Sequence, residues 1–586
     1  MLSRCLSVLC LSSLLAVGVL AAPGPVPQRD VDDLEDLLPR DETAAEREFW
    51  RGREHLMPTR GAKADAPPVA PVRNVAEWEP ATGVLIRYPL GLPYDLLTDL
   101  DDDVTLHVVV SSGYQSAAQS NLAANGVDMA RVEFLVRAND SIWTRDYGPW
   151  YVFDGTGTLT IIDHTYNRPW RPNDNLIPIY FAQQQGLPVI SHDMYHTGGN
   201  YMTDGAGVGM STDLVIDEAW SENGMSAAEV DQLMSDYYGI STYYTLEYIE
   251  SGGIHHIDTW AKFLDEETIL LKEVWAAHHT YDELEQRAVL LASLTASTGR
   301  NYQVSRVYCY DIGGGDPASY TNSLFLNDRI YVPFFGNAAY DQAAIAAYQA
   351  AAPGYQVEGY YYSGFLSDDA LHCRAKGVYD RGMLRVGHVP IREASEGPVA
   401  VTSFVDDRSE AGLDFVRLVY RFAGEGWTTV EMTALGDDLY KGVIPAPLFD
   451  TTVEYYVLAA DLAGRSEGMP RTAPGHWYGF PILRQTTDVS GPPAAARLLP
   501  NRPNPFNPST TFSFELRDPA PARLTVADAR GREVRRLLDG EMCPAGLTRV
   551  RWDGRDSRGR MLPSGVYHFT LEVAGLRYSR PATLVR

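Results

Sequence analysis

The chain has 586 residues, 45% of them hydrophobic, and a formal net charge of −27. That length holds roughly three to four domains with cores of their own. So acidic a chain offers no basic field to neutralise phosphates, which argues against a nucleic-acid partner; it favours cationic substrates without naming one.

Residues 1–22 begin with Arg4, run through an apolar stretch at 6–20 and end in Ala21-Ala22-Pro23. A positive start, a short apolar core and small closing residues predict a secretory signal peptide. Cys10 follows Ser7-Val8-Leu9, without the small residue expected before a lipid-modified cysteine. No later run reaches the roughly 20 apolar residues of a membrane span. The expectation is an exported or cell-surface protein with no span. Residues 23–72, rich in Pro, Arg, Asp and Glu, read as a pro-segment or linker with a short acidic helix at 31–38. Order is expected to begin near 75–80.

Between 75 and 386 strand-like and helical runs alternate. Strands are predicted at 83–88, 104–110, 159–162, 214–216, 268–274 and 329–332. Ser226 with Glu229 three residues on predicts a capping box for a helix over 227–238. Helices are also predicted at 281–297 and 341–351, the last stopped by Pro353-Gly354. This gives one α/β domain, bounded at 73–388. Residues 396–483 and 497–586 show alternating strands broken by Gly, Pro and Asp, the pattern of two small β-sandwiches joined by a Ser-Gly-Pro-Pro linker. No short-period repeat is visible.

Two of the five cysteines, Cys5 and Cys10, fall in the apolar N-terminal segment. Cys309, Cys373 and Cys543 remain, an odd number for an exported chain. An unpaired cysteine there is intermolecular, buried and inert, or a reactive thiol.

Three stretches carry chemistry. The first, Trp143-Thr144-Arg145-Asp146-Tyr147-Gly148-Pro149-Trp150, sets charged groups among indoles. It reads either as a solvated loop with an Asp–Arg pair or as a carboxylate held against aromatic faces, which suits a guanidinium. In the second, His256-Ile257-Asp258, an extended backbone would point imidazole and carboxylate to one side. That pair is a proton carrier, a metal ligand pair or a surface histidine; no HExxH or CxxC partner supports the metal reading. The third, Thr321-Asn322-Ser323, is weak alone. Gly205–Gly209 and Gly313–Gly315 lack the strand-to-helix context of a phosphate loop and read as turns.

Together with His196-Thr197-Gly198-Gly199-Asn200 and Leu371-His372-Cys373, these stretches resemble the guanidine-modifying (pentein) superfamily, in particular its bacterial Porphyromonas-type peptidyl-arginine deiminase and agmatine deiminase branch. The resemblance implies a five-bladed α/β propeller followed here by two all-β Ig-like domains. It implies a catalytic set of Cys373, His256, Asp258 and Asp146, with Asn322 steadying thiolate or substrate and Trp143 as a wall. No cofactor, organic or metallic, is called for; the acidic run 99–103 lacks the spacing of an EF-hand. The stretch Tyr166-Asn167-Arg168-Pro169-Trp170-Arg171 resembles the segment whose two arginines grip the α-carboxylate of a C-terminal arginine, with Trp170 as an extra residue between Arg168 and Arg171. Such a clamp would repel agmatine's amine. Family members acting on agmatine carry an acidic residue where this chain has Thr197.

The tail, with Pro503-Asn504-Pro505-Phe506-Asn507-Pro508 and Trp552-Asp553-Gly554-Arg555, resembles the FlgD-like Ig module and type IX sorting domains, which implies export and contact with secretion machinery. The expected activity is a cysteine hydrolase converting peptidyl-arginine, preferably C-terminal, to citrulline and ammonia. Its expected partners are arginine-containing peptides or proteins. The alternatives are agmatine or free-arginine deimination, with its link to putrescine synthesis, and an inactive pentein serving as an adhesin.

Overall fold

A computed structural model describes residues 42–53, 64–249, 253–394, 397–447, 451–482 and 496–585. The predicted signal peptide and the 31–38 helix lie outside them.

Residues 81–379 build one unit five times: an antiparallel strand pair, a crossover helix, and a third strand parallel to the second. The second to fifth units pair strands Trp150–Phe153, Leu159–Tyr166 and Val189–His196; Met202–Thr203, Val208–Thr212 and Thr242–Leu246; Ala261–Phe263, Thr268–Glu273 and Gln303–Tyr308; and Leu324–Leu326, Arg329–Phe334 and Gln356–Tyr361. In the first unit Ala81–Tyr88 runs parallel to Thr105–Val110. Its antiparallel partner is Lys376–Tyr379, from the far end of the domain. The last strand therefore closes the first sheet, and the five sheets are the blades of an α/β propeller. Parallel neighbours need a crossover connection, which is why each blade carries a helix.

The strand cores are continuous apolar runs such as Leu85-Ile86 and Val108-Val109-Val110, all fully buried, as sheets covered on both faces require. The capping box forms: Ser226 caps Ala227–Tyr238 and Glu229 bonds back to its backbone N–H. Three expectations need correction. Residues 214–216 are not a strand but open the helix Leu214–Glu218; the strand ends at Thr212, where pairing with Leu246 stops, so the apolar run has no ladder left to join. Order begins earlier than residue 75, because Asp65 exchanges backbone and carboxylate hydrogen bonds with Ser191 and accepts another from Tyr237. A helix, α1 (Ala44–Trp50), also forms within the expected pro-segment.

The propeller ends before residue 388. Strand Leu384–Gly387 pairs with Val399–Asp407 and belongs to the first β-sandwich, whose core is built from Leu384, Val401, Leu418, Val457 and Phe480. The propeller and this sandwich form one compact unit. The second unit is another sandwich of two antiparallel sheets around Phe512, Phe514, Trp552 and Phe569.

Candidate active site

Each of the five blades is entered through a short turn, and those turns carry the residues singled out in the sequence. Helix Thr144–Tyr147 precedes the second blade, turn Gly198–Asn200 the third, Ile257–Thr259 the fourth, the turn at Asn322 the fifth, and His372–Arg374 the closing strand of the first. Fivefold repetition of the blade gathers five unconnected segments into one place.

Cys373 lies within that gathering, 1% exposed. Asn322 Nδ2 is 3.2 Å from its Sγ, and the Asn322 carbonyl accepts from the backbone N–H groups of Ala370 and Cys373. Asp258 Oδ2 is 3.7 Å from the sulfur. Cys373 shares a pocket with Asp146, Trp143, Arg168, Asp368 and Asp369. Cys309 and Cys543 are also free and buried, but neither Sγ is bonded to an amide or carboxylate side chain among the described residues. The loop under the pocket is held by Arg374, which pairs with Asp369 at 2.8 Å and donates to the carbonyls of Gly91 and Gly364.

Gly199 explains the double glycine. Its N–H donates to Asp146 Oδ1 at 3.1 Å, and a Cβ there would stand 2.7 Å from both Asp146 Oδ1 and His256 Nδ1. The segment reaches His256 through a left-handed residue, His255, at φ 56°, the kind of outlier that clusters at functional sites.

His256 and Asp258 do not share one side of an extended strand. Residues 257–259 form a 3₁₀ turn, with His256 as its N-cap, yet both side chains reach the space beside Gly199, where an added Cβ would lie 2.7 Å from His256 Nδ1 and 3.2 Å from Asp258 Oδ2. His256 Nδ1 faces Asp146 at 3.6 Å. Asp258 instead accepts from Asn322 at 3.2 Å and lies 2.6 Å from His372 Nδ1. His372 Nε2 in turn sits 2.8 Å from Glu77 Oε2, and Glu77 is held by Lys262 Nζ at 3.0 Å and by the backbone N–H of Phe325. Sequence reasoning missed His372 and Glu77. An imidazole adjacent to the nucleophile in the chain was the available signal for His372; Glu77, nearly 300 residues away in sequence, gave none.

Burial sets the protonation of the site. It pushes Asp146 up to about 7, with the charge of Asp258 adding to the rise. It pulls His256 down to about 3, so the ring is neutral. It raises the Cys373 thiol well above its ordinary value, reinforced by Asp258, Asp369 and Asp146. Burial would raise Asp258 as well, but the hydrogen bond and charge of His372 hold it below the usual carboxylate value. The result is a thiol and a neutral imidazole facing carboxylates, a setting that favours a cation.

The two arginines of the predicted clamp part company. Arg168 lines the pocket. Arg171 does not: it is buried, stacked 4.6 Å over the Trp143 ring and paired with Glu46 of α1 at 3.1 Å.

Residues 73–376 match the family model of the Porphyromonas-type peptidyl-arginine deiminases, and residues 502–575 that of the FlgD Ig-like domain. The chain is 25% identical over 307 residues to an agmatine deiminase of Medicago truncatula, spanning 44% of this chain and 81% of that protein. It is 24% identical over 269 residues to a putative agmatine deiminase of Legionella pneumophila, spanning 44% and 75%. Among solved structures it is similar to a putative arginine deiminase of Porphyromonas gingivalis (21% identity, 53% of this chain, 99% of that one, TM-score 0.47). It is also similar to an agmatine deiminase of Enterococcus faecalis (20% identity, 53% and 96%, TM-score 0.47). The family model covers more than half of the chain, and the chain therefore belongs to the Porphyromonas-type peptidyl-arginine deiminase family, hydrolases of guanidino C–N bonds.

Proposed function

We propose that this protein deiminates arginine at a peptide C-terminus, giving citrulline and ammonia through a covalent thiouronium on Cys373. The observation that carries the reading is the placement of Cys373 Sγ against Asn322 and Asp258, in a pocket it shares with Asp146 and Arg168.

The guanidinium carbon is a poor electrophile, stabilised by resonance and permanently charged. Asp146 and Asp258 accept hydrogen bonds from its nitrogens, and their charge offsets its desolvation. The bound cation adds positive charge beside these carboxylates, which favours the Cys373 thiolate. The thiol proton passes to neutral His256. Sulfur attacks the carbon, His256 returns the proton to the departing nitrogen, and ammonia leaves. Water, deprotonated by His256, then attacks the thiouronium; the C–S bond breaks, the thiol is restored and a ureido group remains. Trp143 walls the pocket, and Arg168 holds the substrate carboxylate.

Agmatine is the second reading. It is favoured by the pairing of Arg171 with Glu46, which leaves Arg168 as the arginine of the two that lines the pocket. Export to the cell surface is part of the proposal, supported by the Arg4-led apolar N-terminal stretch and by the FlgD Ig-like match, a module that fits contact with a secretion apparatus.

The test is mass spectrometry of agmatine and of peptides with internal, C-terminal and C-terminally amidated arginine after incubation. Conversion adds ~1 Da as nitrogen gives way to oxygen, with one ammonia released per event. Preference for the free C-terminal arginine, lost in Cys373→Ala, is expected. Preference for agmatine would install the second reading, and no conversion of any guanidine would end both.

A further inference from the structure

The seven-residue helix α1 is tied to the active-site wall by two contacts. Glu46 Oε1 accepts from Arg171 Nε at 3.1 Å. Its other oxygen closes the helix's own capping box, accepting from the Thr43 N–H at 2.8 Å, so the carboxylate is fixed at both ends. Trp50, itself buried, donates from Nε1 to the Trp170 carbonyl at 2.8 Å. Glu46 is 3% exposed and Arg171 1%. Both contacts fall on residues 170 and 171, two and three residues beyond Arg168, and the Arg171 guanidinium lies on the face of Trp143, the ring that walls the Cys373 pocket.

A carboxylate delivered to a guanidinium against an indole is the recognition chemistry an arginine-ended substrate would ask of this segment. The geometry points to Glu46 as a specificity-determining residue: α1 supplies, in cis, a stand-in for the substrate's α-carboxylate and withholds Arg171 from it. This rests on the C-terminal arginine reading above. With α1 seated, Arg168 alone meets the substrate carboxylate. With α1 displaced or its charge removed, Arg171 loses the carboxylate bonded to its Nε and keeps the charge of Asp174, and an incoming carboxylate takes the place Glu46 left.

The experiment compares the full-length enzyme with its Glu46→Gln and Trp50→Ala variants on one peptide in two forms, ending in arginine acid or arginine amide. Glu46→Gln removes the charge; Trp50→Ala keeps it and loosens the helix, so neither result depends on one variant folding. In both, kcat/KM for the acid relative to the amide should rise about tenfold through KM, the scale of one recovered charge pairing at a partly buried site. A merely structural role would lower both substrates together and leave the ratio unmoved, and an unmoved ratio overturns the inference. If the parent enzyme turns over neither form, the C-terminal arginine reading itself fails and takes this one with it.

Discussion

His372 Nδ1 lies 2.6 Å from Asp258 Oδ2 and its Nε2 2.8 Å from Glu77 Oε2, so one imidazole joins two carboxylates. A neutral imidazole has a single N–H and cannot donate to both. Burial and the nearby Arg145 lower the His372 pKa, so the neutral ring donates to one carboxylate at a time, close behind the nucleophile. Lys262 and Arg145 at Glu77 secure the far end of the chain.

His372 is a positioning residue acting through Asp258. His372→Gln should lower kcat about 100-fold, the cost of a small misplacement of a reacting group. It should also steepen the acidic limb of the pH–rate profile by bringing an Asp258 ionisation up toward that of Asp146, because the Asp258 carboxylate loses the partner that holds its pKa down. A purely structural role would lower thermal stability and leave the slope of that limb unchanged. Steady-state kinetics from pH 5 to 9 decide between them.

Asp146, raised to about 7 by burial and Asp258, should set a limb near that pH in kcat/KM for the free enzyme. Asp146→Asn abolishes turnover. Its stability effect has a defined sign. In the unfolded chain the carboxyl ionises from about pH 4 upward, whereas in the folded chain it stays protonated to about 7. The wild type therefore loses stability between those values and holds the deficit above them, a penalty on the order of 4 kcal/mol at most. Asp146→Asn should melt higher than wild type at pH 8 and not at pH 4.

The Cys373 thiol, held protonated by burial and three carboxylates, should alkylate slowly with iodoacetamide at pH 7, the rate still climbing above pH 9. Asp146→Asn removes one of those charges and should speed alkylation several-fold at pH 8. Peptide mapping identifies the modified cysteine.

Gly199→Ala places a methyl 2.7 Å from Asp146 Oδ1 and His256 Nδ1. Both must shift, and activity should fall at least 100-fold while the melting temperature changes little, since the methyl points into the site and not into a packed core. Circular dichroism melts beside the peptide assay separate the two effects.

The residues expected at the site were legible from several motifs taken together, since Asp146 sits in a distinctive stretch while Asn322 and Cys373 are weak alone; each lies just before a strand. What lay hidden was relational. Asp258 was set beside His256 on extended-strand spacing; the two do converge beside Gly199, but through a 3₁₀ turn at 257–259, and the short contact of Asp258 is with His372. The five-blade repeat left no sequence period because each blade conserves a strand–helix order, not residues. Helices Tyr94–Asp103 and Ile177–Gln185 escaped notice because one ends in three aspartates and the other opens on Ile-Pro-Ile, which hides helical periodicity. Residues 214–216 read as a strand by β-branching until the ladder's end decided otherwise. Arg171 could not be separated from Arg168 without Glu46, more than 120 residues upstream.

The central claim is that Cys373 carries the substrate covalently. Acid-quenched digestion and mass spectrometry during turnover of an arginine-ended peptide tests it most directly. The account predicts a transient adduct of substrate mass less ammonia on the Cys373 peptide, absent from Cys373→Ala together with all conversion. Deimination that proceeds undiminished in Cys373→Ala, with that peptide unmodified in the wild type throughout, would contradict it.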